Sequence, residues 1–69
     1  MSKVKIFLNG EEKLFESGLT IKDLVNFFEL DVKKIAIEKD LKIIAAQDFE
    51  KEILQDGSKV EIVHFIGGG

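Results

Sequence analysis

Lys3-Val4-Lys5-Ile6-Phe7-Leu8-Asn9-Gly10 is the stretch from which the fold of this 69-residue chain can be read. Its side chains alternate with period two. Val4, Ile6 and Leu8 therefore share one face of a strand, and Lys3, Lys5 and Phe7 share the other. Asn9-Gly10 follows at once, and both central positions of a type I′ turn need positive φ, which Asn and Gly tolerate best. Lys13-Leu14-Phe15-Glu16 reads as the returning strand, and Ser17-Gly18 breaks it. A hairpin with one apolar face must be covered by something.

The next segment supplies the cover. Thr20 is placed to cap a helix, with Asp23 as the acid of a capping box. Ile21, Leu24, Val25 and Phe28 then fall on one helical stripe. The helix is expected to end near Phe28 to Leu30, although neither Gly nor Pro marks the stop. Ile35-Ala36-Ile37-Glu38 reads as a third strand, Lys39-Asp40 as its turn, and Leu41-Lys42-Ile43-Ile44 as a short fourth strand. Gln47 to Glu52 is polar around Phe49, which suggests a brief helical turn with one anchor. After the turn signal Asp56-Gly57, the stretch from Lys59 to Phe65 is rich in β-branched residues and makes a last strand. The order β-β-α-β-β-β predicts an α+β fold of the ubiquitin-like β-grasp kind. A mixed sheet of four to five strands packs on one main helix, with the first and last strands parallel at its centre. Residues 1–66 form a single domain in this reading, and 67–69 a flexible glycine tail.

Composition removes several classes of function. The chain has no Cys and one His, so neither thiolate metal centres nor disulfides are available, and no metal site is expected. The lysines are scattered and the net charge is −3, so there is no basic stripe for nucleic acid. No apolar run approaches the roughly 20 residues of a membrane span. Without a signal peptide or a disulfide framework the expected compartment is the cytoplasm. Nor does the sequence carry a phosphate loop, because its one glycine cluster opens no helix.

That cluster is the other notable feature. The last strand runs through Ile66 straight into Gly67-Gly68-Gly69, with no polar linker between. Glycine has no Cβ, so such a tail is thin enough to thread a narrow channel, and a terminal carboxylate on it is sterically open. Gly69 is thus the candidate reactive terminus, and Gly67 and Gly68 the threading segment. If Val60 and Ile62 face the helix, Val63 and Phe65 face away from it, as does Phe7 on the first strand. Parallel neighbours would bring Phe7, Val63 and Phe65, with Ile66, into an apolar patch suited to docking a partner.

Asn9-Gly10, Thr20-Ile21-x-x-Leu24 and Leu54-x-Asp56-Gly57-x-x-Val60-Glu61-Ile62-Val63, leading to Gly68-Gly69, resemble the sulfur carrier proteins of thiamine biosynthesis. The likeness covers nearly the whole chain. It departs from that family at Ala45-Ala46, where a Pro-Arg pair is common, and at Lys39-Asp40, where an Asn-Gly-like turn is expected. The resemblance implies a protein co-substrate, not an enzyme. An E1-like adenylating partner using ATP and Mg²⁺ would activate the Gly69 carboxylate, and a sulfur donor protein would convert it to a thiocarboxylate. Thiazole synthase or another acceptor would receive the sulfur. The carrier itself would bind no cofactor and be monomeric alone. Two other readings share the fold and the glycines: the small subunit of molybdopterin synthase, and a ubiquitin-like modifier or binding module.

Overall fold

The computed structural model describes residues 2–65; Met1, Ile66 and the three terminal glycines lie outside the described residues. Strands β1 (Lys3–Leu8) and β2 (Glu11–Glu16) form the expected hairpin, with Asn9 at φ 49 and Gly10 at φ 84. Helix α1 spans Ile21–Phe27. Strand β3 is Ile35–Lys39, β4 is Lys42–Ile44, and β5 is Lys59–His64. Short 3₁₀ turns at Val32–Lys34 and Ala46–Asp48 complete the path. The sheet runs β2-β1-β5-β3-β4, with β1 and β5 parallel and the other neighbours antiparallel. This is the β-grasp arrangement, with five strands.

The capping box at Thr20 forms in full. The Asp23 N–H donates to Thr20 Oγ1 at 3.1 Å, and the Thr20 N–H donates to Asp23 Oδ2 at 3.0 Å. The helix stops without glycine through a Schellman closure. The Leu30 N–H reaches the Val25 carbonyl (2.9 Å), the Glu29 N–H reaches that of Asn26 (3.2 Å), and Glu29 itself takes φ 54. Leu41, expected to open β4, sits instead in the β3–β4 turn at φ 72, because Asp40 and Leu41 together make the left-handed pair that a two-residue hairpin needs.

Ile21, Leu24 and Val25 of α1 pack on Ile6, Leu8, Ile37 and Val60 of the sheet, all buried. Phe49 is the one aromatic in this core, anchored by its turn as expected. Phe28 lies at the end of the helical stripe and is only partly covered, because α1 ends one residue earlier. It stacks edge-on against Phe27, which does the same against Phe15.

Candidate functional site

Strand β5 is the last described element, and the glycines follow it in the sequence after Phe65 and Ile66. Val60 is fully buried and Ile62 packs against the core. The alternation turns Glu61, Val63 and Phe65 to the outer face, away from α1, with Val63 at 55% and Phe65 at 60% exposure. Val63 pairs with Ala36 on β3, and the Phe65 N–H donates to the Lys34 carbonyl at 2.9 Å. The end of β5 is therefore held on this side by β3 at Val63 and by the preceding 3₁₀ turn at Phe65.

Register corrects one expectation. Phe7 is on the outer face, but it pairs with Lys59 and not with Val63. Four residues of β5 separate the two rows, about 13 Å at roughly 3.3 Å per residue. Phe7 is also half-buried. On the other flank Val63 pairs with Ala36 of β3, while Ile43 of β4 shares the outer face in the row of Glu38 and Glu61, two residues along from Val63. Ile43 is 71% exposed and lies across from Glu38. Ile44 pairs with buried Ile37, so its neighbour Ile43 points outward; alternation in the sequence says that one of the two isoleucines faces out, and the pairing says which. Ile66 and the tail residues Gly67, Gly68 and Gly69, all named from the sequence, lie outside the described residues.

Charge on this face is uneven. Towards the hairpin the ions are paired, Lys3 with Glu16 (3.5 Å) and Lys5 with Glu12 (3.7 Å). Towards the tail, Glu38 and Glu61 stand directly opposite each other across β3 and β5. Like charges in that relation repel. The outer face near the tail is thus an apolar surface bearing two adjacent carboxylates.

On the helix side of the same strand end lies an open groove of about 300 Å³, lined by Leu8, Asn9, Phe28, Leu30, Ile62 and His64. His64, the single imidazole, is solvent-exposed on its rim. Among the described residues no group of three or more His, Cys, Asp or Glu side chains could hold a metal ion. No described helix is long and apolar enough to cross a membrane.

The model of the ThiS family matches residues 3–69, nearly the whole chain. The chain belongs to the ThiS family. Among individual proteins, the sulfur carrier protein ThiS of Bacillus subtilis is 35% identical over 63 residues, covering 90% of this chain and 96% of that protein. A thiazole synthase of Paramagnetospirillum magneticum is 38% identical over 66 residues, covering 96% of this chain and 20% of that one. The chain thus spans one fifth of the length of that relative, and equally of a second thiazole synthase, from Magnetococcus marinus. The crystal structure of the thiamine biosynthesis protein ThiS from Geobacter metallireducens superposes with a TM-score of 0.81 over 96% of this ThiS-family chain and all of its own. At 20% identity it speaks for the fold.

Proposed function

We propose that this chain is a sulfur carrier of thiamine biosynthesis, acting in the cytoplasm as a protein co-substrate and not as an enzyme. The observation that carries the reading is family membership over residues 3–69, a span that includes the glycine terminus. In the proposed cycle a Gly69 carboxylate oxygen attacks the α-phosphorus of ATP on an E1-like adenylating enzyme. Pyrophosphate leaves, and a mixed anhydride with AMP remains. The step is needed because a carboxylate repels nucleophiles and has no adequate leaving group. Hydrosulfide then attacks the carbonyl carbon and AMP departs, leaving the thiocarboxylate at Gly69. If a sulfur donor protein brings a persulfide instead, its terminal sulfur forms an acyl disulfide, and a thiol must then cleave the S–S bond to release the thiocarboxylate. ATP and Mg²⁺ belong to the partner, whose phosphate-binding groups do the catalysis. The carrier holds no cofactor of its own beyond the covalent sulfur.

Gly67 and Gly68 serve as the thread that enters the partner's channel. The outer face at Val63 and Phe65, with Ala36 beside Val63, Ile66 next along the chain, and Ile43 and Phe7 towards its far edges, is the docking surface. An exposed apolar surface beside a reactive end is the expected form of such a site. Thiazole synthase is the proposed acceptor. Two thiazole synthases themselves contain a segment 35–38% identical to this chain, which sets a carrier-like unit and an acceptor-named protein on one polypeptide.

Intact-mass measurement tests the proposal. With adenylating enzyme, ATP, Mg²⁺ and sulfide, the chain should gain the mass difference of sulfur replacing one oxygen. Deletion of Gly69 should abolish that gain and leave the circular dichroism spectrum unchanged. No mass gain with an enzyme shown to be active, or full loading of the deleted chain, would refute the assignment.

A further inference from the structure

The parallel joint between β1 and β5 is short, with Phe7 paired to Lys59 and Leu8 to Val60. Its bonds run from the Phe7 N–H to the Ser58 carbonyl (2.9 Å) and from the Asn9 N–H to the Val60 carbonyl (2.8 Å). In a parallel ladder the next bond would join the Ile62 N–H to the Asn9 carbonyl. At Asn9 the backbone turns into the hairpin at φ 49, and the side-chain amide takes over the ladder. Asn9 Oδ1 accepts the Ile62 N–H at 2.7 Å, and Asn9 Nδ2 donates to the Ile62 carbonyl at 3.3 Å. Both backbone groups of Ile62 are held by one side chain that imitates a peptide unit.

The position matters because Ile62 is two residues before His64, the last residue of β5, after which the sequence runs on to the glycines. On its other side the chain is held by Ala36 of β3 at Val63 and by the Lys34 carbonyl of the preceding 3₁₀ turn at Phe65. We infer that Asn9 is a positioning residue for the reacting terminus. By gripping Ile62 from the β1 side, it fixes the line along which β5 presents the glycines to the activating partner. This rests on the carrier reading above. A misplacement of about 1 Å at a reacting centre can reduce rate by on the order of 100-fold, so a loosened root would show in turnover. Docking through Val63 and Phe65, on the β3 side, would be spared.

The test is Asn9→Gly, which keeps the positive φ at no steric penalty and removes the amide. Asn9→Asp is the second variant: it keeps an acceptor for the Ile62 N–H but offers the Ile62 carbonyl no donor. Leu54→Val controls for general softening, since it truncates a buried side chain whose backbone is bonded to Leu19, at the opposite end of α1 from the groove. The readouts are amide hydrogen exchange and steady-state sulfur loading with adenylating enzyme, ATP and sulfide. In Asn9→Gly, exchange at Ile62 should accelerate while Val63 keeps its protection. Its kcat should fall about 10-fold with KM unchanged. Asn9→Asp should fall between Asn9→Gly and wild type, and Leu54→Val should keep its kcat. An unchanged kcat in Asn9→Gly, a loss confined to KM, an equal kcat loss in Leu54→Val, or an Ile62 amide that stays protected would overturn the inference. A wild-type chain that is never loaded removes the carrier reading as well, whereas a loaded wild type matched by its variant removes this inference alone.

Discussion

Replacing Phe65 by Ser probes the proposed docking surface without touching the fold. The ring is 60% exposed, and the residue is held by a backbone bond to Lys34 that serine preserves. A Phe side chain offers about 200 Å², so roughly 120 Å² is available to a partner; at about 25 cal/mol per Å² its burial contributes ~3 kcal/mol. That figure sets an upper bound near 100-fold in affinity, since each ~1.4 kcal/mol is a factor of ten and interfaces convert area imperfectly. In the proposed loading reaction, KM of the chain for an adenylating enzyme should therefore rise about 10- to 100-fold, with kcat little changed and stability within about 0.5 kcal/mol of wild type. Leu14→Ser is the matched control. It is 64% exposed on the same face but lies on β2, opposite Lys5 and far from the tail. Initial rates of mass gain over a range of carrier concentrations decide the matter. A KM for Phe65→Ser within about twofold of wild type, or an equal rise for Leu14→Ser, would refute docking at the root of β5.

Two predictions concern the body of the protein. Leu41 holds φ 72 with its side chain 88% exposed, so Leu41→Gly relieves a left-handed strain of about 1–2 kcal/mol, sacrifices almost no burial and adds about 0.5–1 kcal/mol of unfolded-chain entropy. Urea unfolding should show a net gain of roughly 0.5–1 kcal/mol, whereas Leu41→Ala should stay near wild type; a destabilised glycine variant would contradict the strain argument. Glu61→Lys turns the repelling Glu38–Glu61 pair into an attractive one and should stabilise by ~0.5–1 kcal/mol at low salt. The gain should shrink as added salt shortens the Debye length, and a gain indifferent to salt would rule out the electrostatic origin.

Within the described residues, where the sequence spoke through turn glycines, capping residues or strict alternation, the structure agrees. Asn9-Gly10 makes the first hairpin, Thr20 and Asp23 make the box, and Val4, Ile6 and Leu8 face the core. It misled at Leu41, because a left-handed residue is visible in a sequence only when it is of a type that favours that region. Glu29 and Leu41 carry no such mark, so the manner in which α1 stops and the first residue of β4 were hidden. Alternation also gives the face of a strand and not its row. Phe7 was placed on the correct face and in the wrong row, since the stagger of a parallel pair depends on the length of everything between the two strands. The second role of Asn9 was hidden for the same reason. An asparagine that favours a turn can be read locally, but one whose amide continues a ladder 53 positions away requires the register first.

One topological circumstance links these features. In a central parallel pair both strands run towards the same end of the sheet, and here β1 must turn back there to form its hairpin while β5 must continue. Past the Leu8–Val60 pair, β5 therefore has a strand on the β3 side and a turn on the other. The opposite end of the joint is closed in a related way: the Lys5 N–H donates to Asp56 Oδ1 at 2.8 Å, and the Gly57 N–H donates to the Lys5 carbonyl at 2.7 Å. Closing a loop of about 50 residues costs roughly 3.5 kcal/mol in chain entropy. Two backbone-paired residues are a thin return on that cost, at about 0.5–1.5 kcal/mol net for each hydrogen bond. Asp56 at one end and Asn9 at the other lengthen the joint with side chains where the main chain has to depart. The strand that carries the terminus can thus run beyond its parallel neighbour and still be held in line. The proposed cycle, in which the last residue is presented to another enzyme, needs both properties at once.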